Sequence, residues 1–113
     1  MIDLEKMAKE HKKLFPNATA ESQMWKLEEE LKEFYNARDY DEKIKEASDV
    51  EIVCAGLYRW FPCVSRDFLD GFEAMDYNWS LVKEEVKRKW KINLKRKWVW
   101  NGKTYKHVKE TGE

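Results

Sequence analysis

Glycine and proline are scarce in this chain. Its 113 residues contain four Gly and two Pro, too few for the frequent turns of a many-stranded sandwich or barrel. Cysteine is equally sparse: Cys54 and Cys63 have no second pair, which fits neither a zinc ribbon nor a disulfide framework. Cys54, inside the apolar run IVCAGLY, reads as a buried, inert thiol. Long apolar runs are missing too. The longest uncharged one, Ile52 to Tyr58, is far below the roughly 20 residues that span a bilayer. The opening MIDLEKMAKEHKK lacks the apolar core of a signal peptide. A cytoplasmic protein with no membrane partner is expected. Net charge is also absent, since 22 Lys and Arg balance 22 Asp and Glu. That balance excludes a uniformly basic nucleic-acid coat and an acidic solvating tail.

Against these absences stand six Trp, five Tyr and five Phe in a chain that is 39% charged. Disordered chains of such polarity do not carry so much core-forming surface, so this one should fold. Its length suits one domain over residues 1–113 and excludes a modular enzyme.

Apolar residues recur at helical spacing along most of the chain. Ile2, Leu4, Met7, His11, Leu14 and Phe15 predict a short amphipathic helix stopped by Pro16. His11 has no partner pattern and reads as a packing residue. Asn17 or Thr19 can cap a second helix in which Met24, Leu27, Leu31, Phe34 and Tyr35 share a face up to about Arg38. Asp39 and Glu42 have the spacing of a capping box for a third helix. Its stripe runs Ile44, Ala47, Val50, Cys54, Leu57, Tyr58 and Phe61, with Pro62 as its stop. The short link between these two helices favours an antiparallel hairpin. Ser65 can cap a further helical region through Met75, interrupted near residues 76–78, and a last helix starts at Trp79. The tail then alternates as WVW, Asn101-Gly102 and KTYKHV, which predicts a β-hairpin on a two-residue type I′ turn, with His107 exposed. The expected fold is all-α: an antiparallel bundle of about four helices with a small C-terminal β-hairpin.

Charge is uneven along the chain. Residues 83–109 carry nine Lys and two Arg against Glu84 and Glu85, a net of plus nine. The basic last helix and hairpin, 79–109, therefore face an acidic remainder.

The acidic part holds five carboxylates on the two central helices: Glu29, Glu30 and Glu33 on one, Glu46 and Asp49 on the other. Glu30 and Glu33 lie about 60° apart around the helix, as do Glu46 and Asp49. Glu30 borders the stripe at Leu27 and Glu46 borders it at Val50, so these groups should flank the helix contact. Unpaired charges brought together there would cost several kcal/mol each. A divalent cation removes that cost, and an all-oxygen donor set favours Mg²⁺ or Mn²⁺ over zinc. Taken on spacing alone, solvated helix positions account for them as well, since Glu is abundant and a good helix former.

WKLEEELKEF, with EASD following from Glu46, resembles the EExxE...ExxD signature of MazG-type nucleotide pyrophosphohydrolases, the all-α NTP pyrophosphatases. Gln23-x-x-Lys26-Leu27 before the signature, DVEIVCAGLYRW after it, and Lys89-x-x-x-Asn93-x-x-Arg96-x-Trp98 near the C-terminus extend the likeness over about residues 15 to 107. The resemblance implies a Mg²⁺-dependent helical subunit that forms a homodimer or homotetramer and cleaves a nucleoside triphosphate to monophosphate and pyrophosphate. It implies Glu30, Glu33, Glu46 and Asp49 as metal ligands and Glu29 and Glu30 as catalytic. Glu29 would hold a further metal or orient the attacking water. Lys26, Lys89, Asn93 and Arg96 would bind substrate. Trp25 can stack on a base or serve as a core or interface aromatic. Glu51 departs from the pattern, because it falls inside the apolar arc of the third helix.

Two other functions compete. The basic C-terminal segment, with Trp90, Trp98, Trp100 and Tyr105 among Lys and Arg, suits a nucleic-acid-binding module, possible but not favoured because it leaves the carboxylates unexplained. A catalytically silent MazG-like interaction protein is the other, and it would be free to lose the five carboxylates.

Overall fold

A computed structural model describes residues 2–75 and 77–108. Asp76, expected within the break before the last helix, and Lys109, at the end of the basic segment, lie outside the described residues. The elements run α1 (Leu4–Leu14), α2 (Ala20–Asn36), α3 (Tyr40–Leu57), α4 (Pro62–Glu73), α5 (Trp79–Lys95), β1 (Trp98–Trp100) and β2 (Tyr105–His107). The described residues therefore form the expected all-α bundle with a terminal antiparallel hairpin, and they build five helices.

Local chemistry explains most boundaries. Asp3 caps α1 by accepting from the Lys6 N–H, and Thr19 and Ser22 form a reciprocal capping box at the start of α2. Asp39 accepts from the Glu42 N–H, while Glu42 reaches back to the Arg38 N–H. Only three residues, 37–39, then separate α2 from α3. At the end of α2, Lys43 donates to the Phe34 and Tyr35 carbonyls, satisfying acceptors that the helix itself leaves open.

Three expectations are corrected here. α3 ends at Leu57, and Pro62 starts α4 at its first turn instead of ending α3. Proline serves either purpose, because a helix start needs no N–H at that position. Ser65 is not a cap: it sits buried within α4 and its hydroxyl donates to the Cys54 carbonyl. The hairpin turn is also displaced. Trp98 pairs with His107 and Trp100 with Tyr105, and the Asn101 N–H bonds the Thr104 carbonyl, so the bend centres on Gly102 and Lys103. Of the turn residues only Gly102 has positive φ, at 90°, whereas a type I′ turn needs two such residues. Asn101 spends its side chain accepting from the Lys103 and Thr104 N–H groups instead.

α3 is the central element. It packs against α2 most extensively and also against α1, α4 and α5, which buries ten of its 18 residues. A single apolar stripe underestimates such a helix, and its enclosure on several sides explains why Glu51 is only 1% exposed. The α2 stripe is narrower than the sequence suggests, with Phe34 buried but Met24 and Tyr35 exposed, and on α5 Val82, Val86 and Trp90 are buried while Leu81 and Leu94 are exposed. Cys54 is buried beside Ser65, and burial pushes its thiol up to about 11, so it is inert at neutral pH. Among the described residues, no helix is long and apolar enough to cross a membrane.

Candidate metal centre and adjoining cavity

The short α2–α3 link brings the two acidic faces together. Carboxylate oxygens of Glu30, Glu33 and Glu46 lie within 4.8 Å of one another. Asp49 stands beside them and is held from α5: Lys89 Nζ is 2.9 Å from Asp49 Oδ1 and 2.9 Å from the Lys45 carbonyl. Glu30 Oε2 and Glu46 Oε2 are buried with no hydrogen-bond partner. Burial, reinforced by the charges of Asp49 and Glu33, pushes the Glu30 carboxyl up to about 8. Glu46 is raised by burial and then by Asp49 and Glu33, with Lys89 opposing. Asp49 is raised by burial although the Lys89 ammonium pulls it down. Orphaned oxygens and mutually repelling carboxylates, with no nitrogen or sulfur donor among them, fit a hard divalent cation such as Mg²⁺ or Mn²⁺.

Glu29 is not part of this cluster. Its side chain is 61% exposed and lies 3.8 Å from Lys26 Nζ, an exposed pair of little energetic weight.

A cavity of about 280 Å³ opens beside the carboxylates. Glu30 and Asp49 line one part of it, and Lys26, Asn93 and Arg96 line it as well, so three of the four expected substrate-binding residues converge. The fourth, Lys89, is engaged with Asp49 instead.

Aromatic residues from opposite ends of the chain form the remaining wall. Phe15 packs against Trp98 and Tyr105 at ring separations of 5.0 and 4.9 Å. The Asn17 N–H donates to the Tyr105 hydroxyl at 2.9 Å, tying the hairpin to the α1–α2 loop. His107 is half-buried and lines the cavity, not exposed as expected. It packs edge-on to Trp98, its partner across the strands.

The floor is a polar chain that the sequence did not reveal. His11, 4% exposed, packs as expected but does have partners. Arg59 Nη1 lies 2.9 Å from His11 Nδ1. A guanidinium only donates, so Nδ1 accepts and the ring proton sits on Nε2. Gln23 bonds the same ring and donates Nε2–H to the Val53 carbonyl at 2.9 Å. Burial, with Arg59 adding to it, pushes His11 down to about 3, so it is neutral in the physiological range. Gly56 provides the room for this chain, because a Cβ there would fall 2.7 Å from His11 Nε2.

Trp25 does not line the cavity. It is 39% exposed with Lys103 Nζ 4.6 Å from its ring centre, a cation–π pair at the surface. Glu51 lies apart from the metal cluster. Both its oxygens are buried without a hydrogen-bond partner, and burial plus the nearby Glu73 carboxylate pushes it up to about 9, with Lys83 opposing. In comparisons with known proteins, no family model, curated protein or solved structure gives a significant match to this chain.

Proposed function

We propose that this chain is a MazG-type nucleoside triphosphate pyrophosphohydrolase that depends on Mg²⁺ or Mn²⁺ and releases nucleoside monophosphate and pyrophosphate. The observation that carries this reading is the convergence of Glu30, Glu33 and Glu46, with two orphaned buried oxygens, at the edge of a cavity that also holds Lys26, Asn93 and Arg96.

Glu30, Glu33, Glu46 and Asp49 would hold the metal, which supplies charge neutralisation on the phosphate oxygens and lowers the pKa of an attacking water. One oxygen each of Glu30 and Glu46 is buried by the surrounding packing, which strengthens the charge interactions of those atoms. Lys26 and Arg96 are placed to meet a polyphosphate, and Asn93 a sugar. Lys89 holds Asp49 in line. Glu29, exposed beside Lys26, would have to turn inward to hold a further metal or orient the attacking water. Removal of unwanted nucleotides from the cytoplasmic pool is the role that fits such an activity. Exposed Met24, Tyr35, Leu81, Ile92 and Leu94 give apolar surface for a homodimer or homotetramer.

The test is pyrophosphate release from a panel of ribo- and deoxynucleoside triphosphates with Mg²⁺, comparing wild type with Glu46→Gln/Asp49→Asn. Activity in the wild type, lost in the folded double variant, is expected. Inactivity of the wild type towards every nucleotide refutes the reading. Binding of single-stranded nucleic acid through the hairpin is less well supported, because Trp98 and Tyr105 are packed on Phe15 rather than presented to solvent.

A further inference from the structure

The four acidic ligands are not equivalent. Oxygens of Glu30, Glu33 and Glu46 gather within 4.8 Å of one another, whereas Asp49 stands outside that group, bonded to an ammonium. Lys89 reaches across from α5 and places Nζ 2.9 Å from Asp49 Oδ1 and 2.9 Å from the Lys45 carbonyl, two acceptors about one turn apart on α3. Its side chain is 20% exposed and that of Asp49 33%, so the contact is sheltered without being sealed. A cation therefore already serves this face, and it holds one of the carboxylates that a divalent ion would need.

Separating the pair would strand neither side of it. The Lys45 carbonyl also accepts from the hydroxyl of Ser48, which is fully buried, so it stays bonded when Lys89 leaves. On α5, Glu85 lies four residues before Lys89, the order in which a helical carboxylate and ammonium meet most favourably. Glu85 is held below the usual carboxylate range by its bond to Arg88, with the Lys89 charge contributing. An ammonium leaving Asp49 thus finds an acidic neighbour on its own helix.

We propose that Lys89 is a positioning residue that serves as the internal counter-cation of the metal centre: its ammonium holds Asp49 while the site is free of metal, and a divalent ion gains Asp49 by displacing it. The inference rests on the metal-binding part of the reading above and not on the reaction. Two cations that compete for one carboxylate are coupled, so each weakens the hold of the other by the same factor. Lys89 therefore spares the metal-free chain an unpaired, half-buried carboxylate, and it lowers the affinity for the ion that replaces it.

Titration of the full chain with Mn²⁺, the free ion being read by electron paramagnetic resonance, measures that affinity without reference to catalysis. Lys89→Met, which keeps the stem and removes the charge, should bind Mn²⁺ about five- to tenfold more tightly than the wild type, the size expected of a partly sheltered charge pair. Lys89→Arg, which restores a cation, should lie within about threefold of the wild type. Lys91→Met, at an exposed position of the same helix, should bind like the wild type, because Lys91 adds only to the general field. The second readout is the ¹H–¹⁵N resonance of the Lys89 ammonium, identified by its loss in Lys89→Arg. Saturating Mg²⁺ should shift or broaden it, which a purely structural lysine would not show, and this arm stands even where Lys89→Met fails to fold. A resonance unmoved at saturating Mg²⁺ overturns the inference and spares the metal centre, as does folded Lys89→Met that binds Mn²⁺ no more tightly than the wild type. No Mn²⁺ binding at millimolar concentration refutes the metal centre and the inference with it. Displacement of Lys89 by Mg²⁺ without pyrophosphate release bears out the inference and refutes the proposed activity.

Discussion

Replacing Gly56 by Ala sets two opposing effects against each other, and the structure decides the sign. In the interior of α3 the change should help, since Ala exceeds Gly in helix propensity by about 1 kcal/mol. The new Cβ, however, would lie 2.7 Å from His11 Nε2 and 2.8 Å from His11 Cδ2, and would press on the Gln23 amide. Neither side chain can swing away freely. His11 is 4% and Gln23 7% exposed, and both are tied into the Arg59 to Val53 hydrogen-bond chain. Overpacking costs about 1–3 kcal/mol, and each buried hydrogen bond left unmade costs a further ~1–3 kcal/mol. The expected net loss is about 2 kcal/mol, a fall in Tm of roughly 10 °C for a domain of this size. Urea unfolding followed by circular dichroism should show a lower midpoint with the slope unchanged. Gly71→Ala is the control, because nothing lies within 4 Å of the Cβ it would add; it should stabilise by up to about 1 kcal/mol. If Gly56→Ala is as stable as Gly71→Ala, the packing of the cavity floor described above is wrong.

Three further outcomes follow from the same contacts. Because the folded Glu51 carboxyl is raised to about 9, its contribution is fully present below about pH 4.5 and is lost as pH rises through 9. Stability should therefore fall by up to about 3 kcal/mol between pH 4.5 and 7, and Glu51→Gln should flatten that slope in chemical denaturation. Lys89→Ala strips Asp49 of its counter-ion in a pair whose side chains are 20% and 33% exposed; the loss should be about 1 kcal/mol or more, and millimolar Mg²⁺ should restore the lost melting temperature, whereas no rescue would count against a cation site. Tyr105→Phe removes the acceptor of the Asn17 N–H and should cost about 1 kcal/mol, with faster amide exchange in the hairpin and unchanged exchange in α3.

Much of the backbone was legible because its signals are local. Thr19 and Asp39 cap helices whose apolar spacing starts just after them, and helical geometry put Glu30 with Glu33 and Glu46 with Asp49 on shared faces, while only the resemblance singled them out as one set. What could not be read depends on residues that meet only after folding. Pro62 and Ser65 were misassigned because the turn at 58–60 carries no Gly or Asn to mark the end of α3. The Asn101-Gly102 pair signals a turn correctly but not its register, since Asn101 diverts its side chain to the backbone. The cavity itself was invisible: Phe15 and Tyr105 are 90 residues apart, and no periodicity connects them. Glu51 stood out as an acidic residue inside an apolar arc, but its enclosure depends on α1, α2, α4 and α5 all packing on α3, which no local signal announces.

The bond between Asn17 and Tyr105 spans 88 residues, and that span imposes an order of events. The α2–α3 hairpin closes across three residues, so the acidic face can assemble early and locally, while a contact of such long sequence separation carries a loop-closure cost that only a largely formed bundle can offset. On the ribosome the carboxylates would thus be gathered well before the hairpin exists to wall the space beside them. A chain stalled before Trp98 would hold the acidic cluster beside a space that still lacks its aromatic wall.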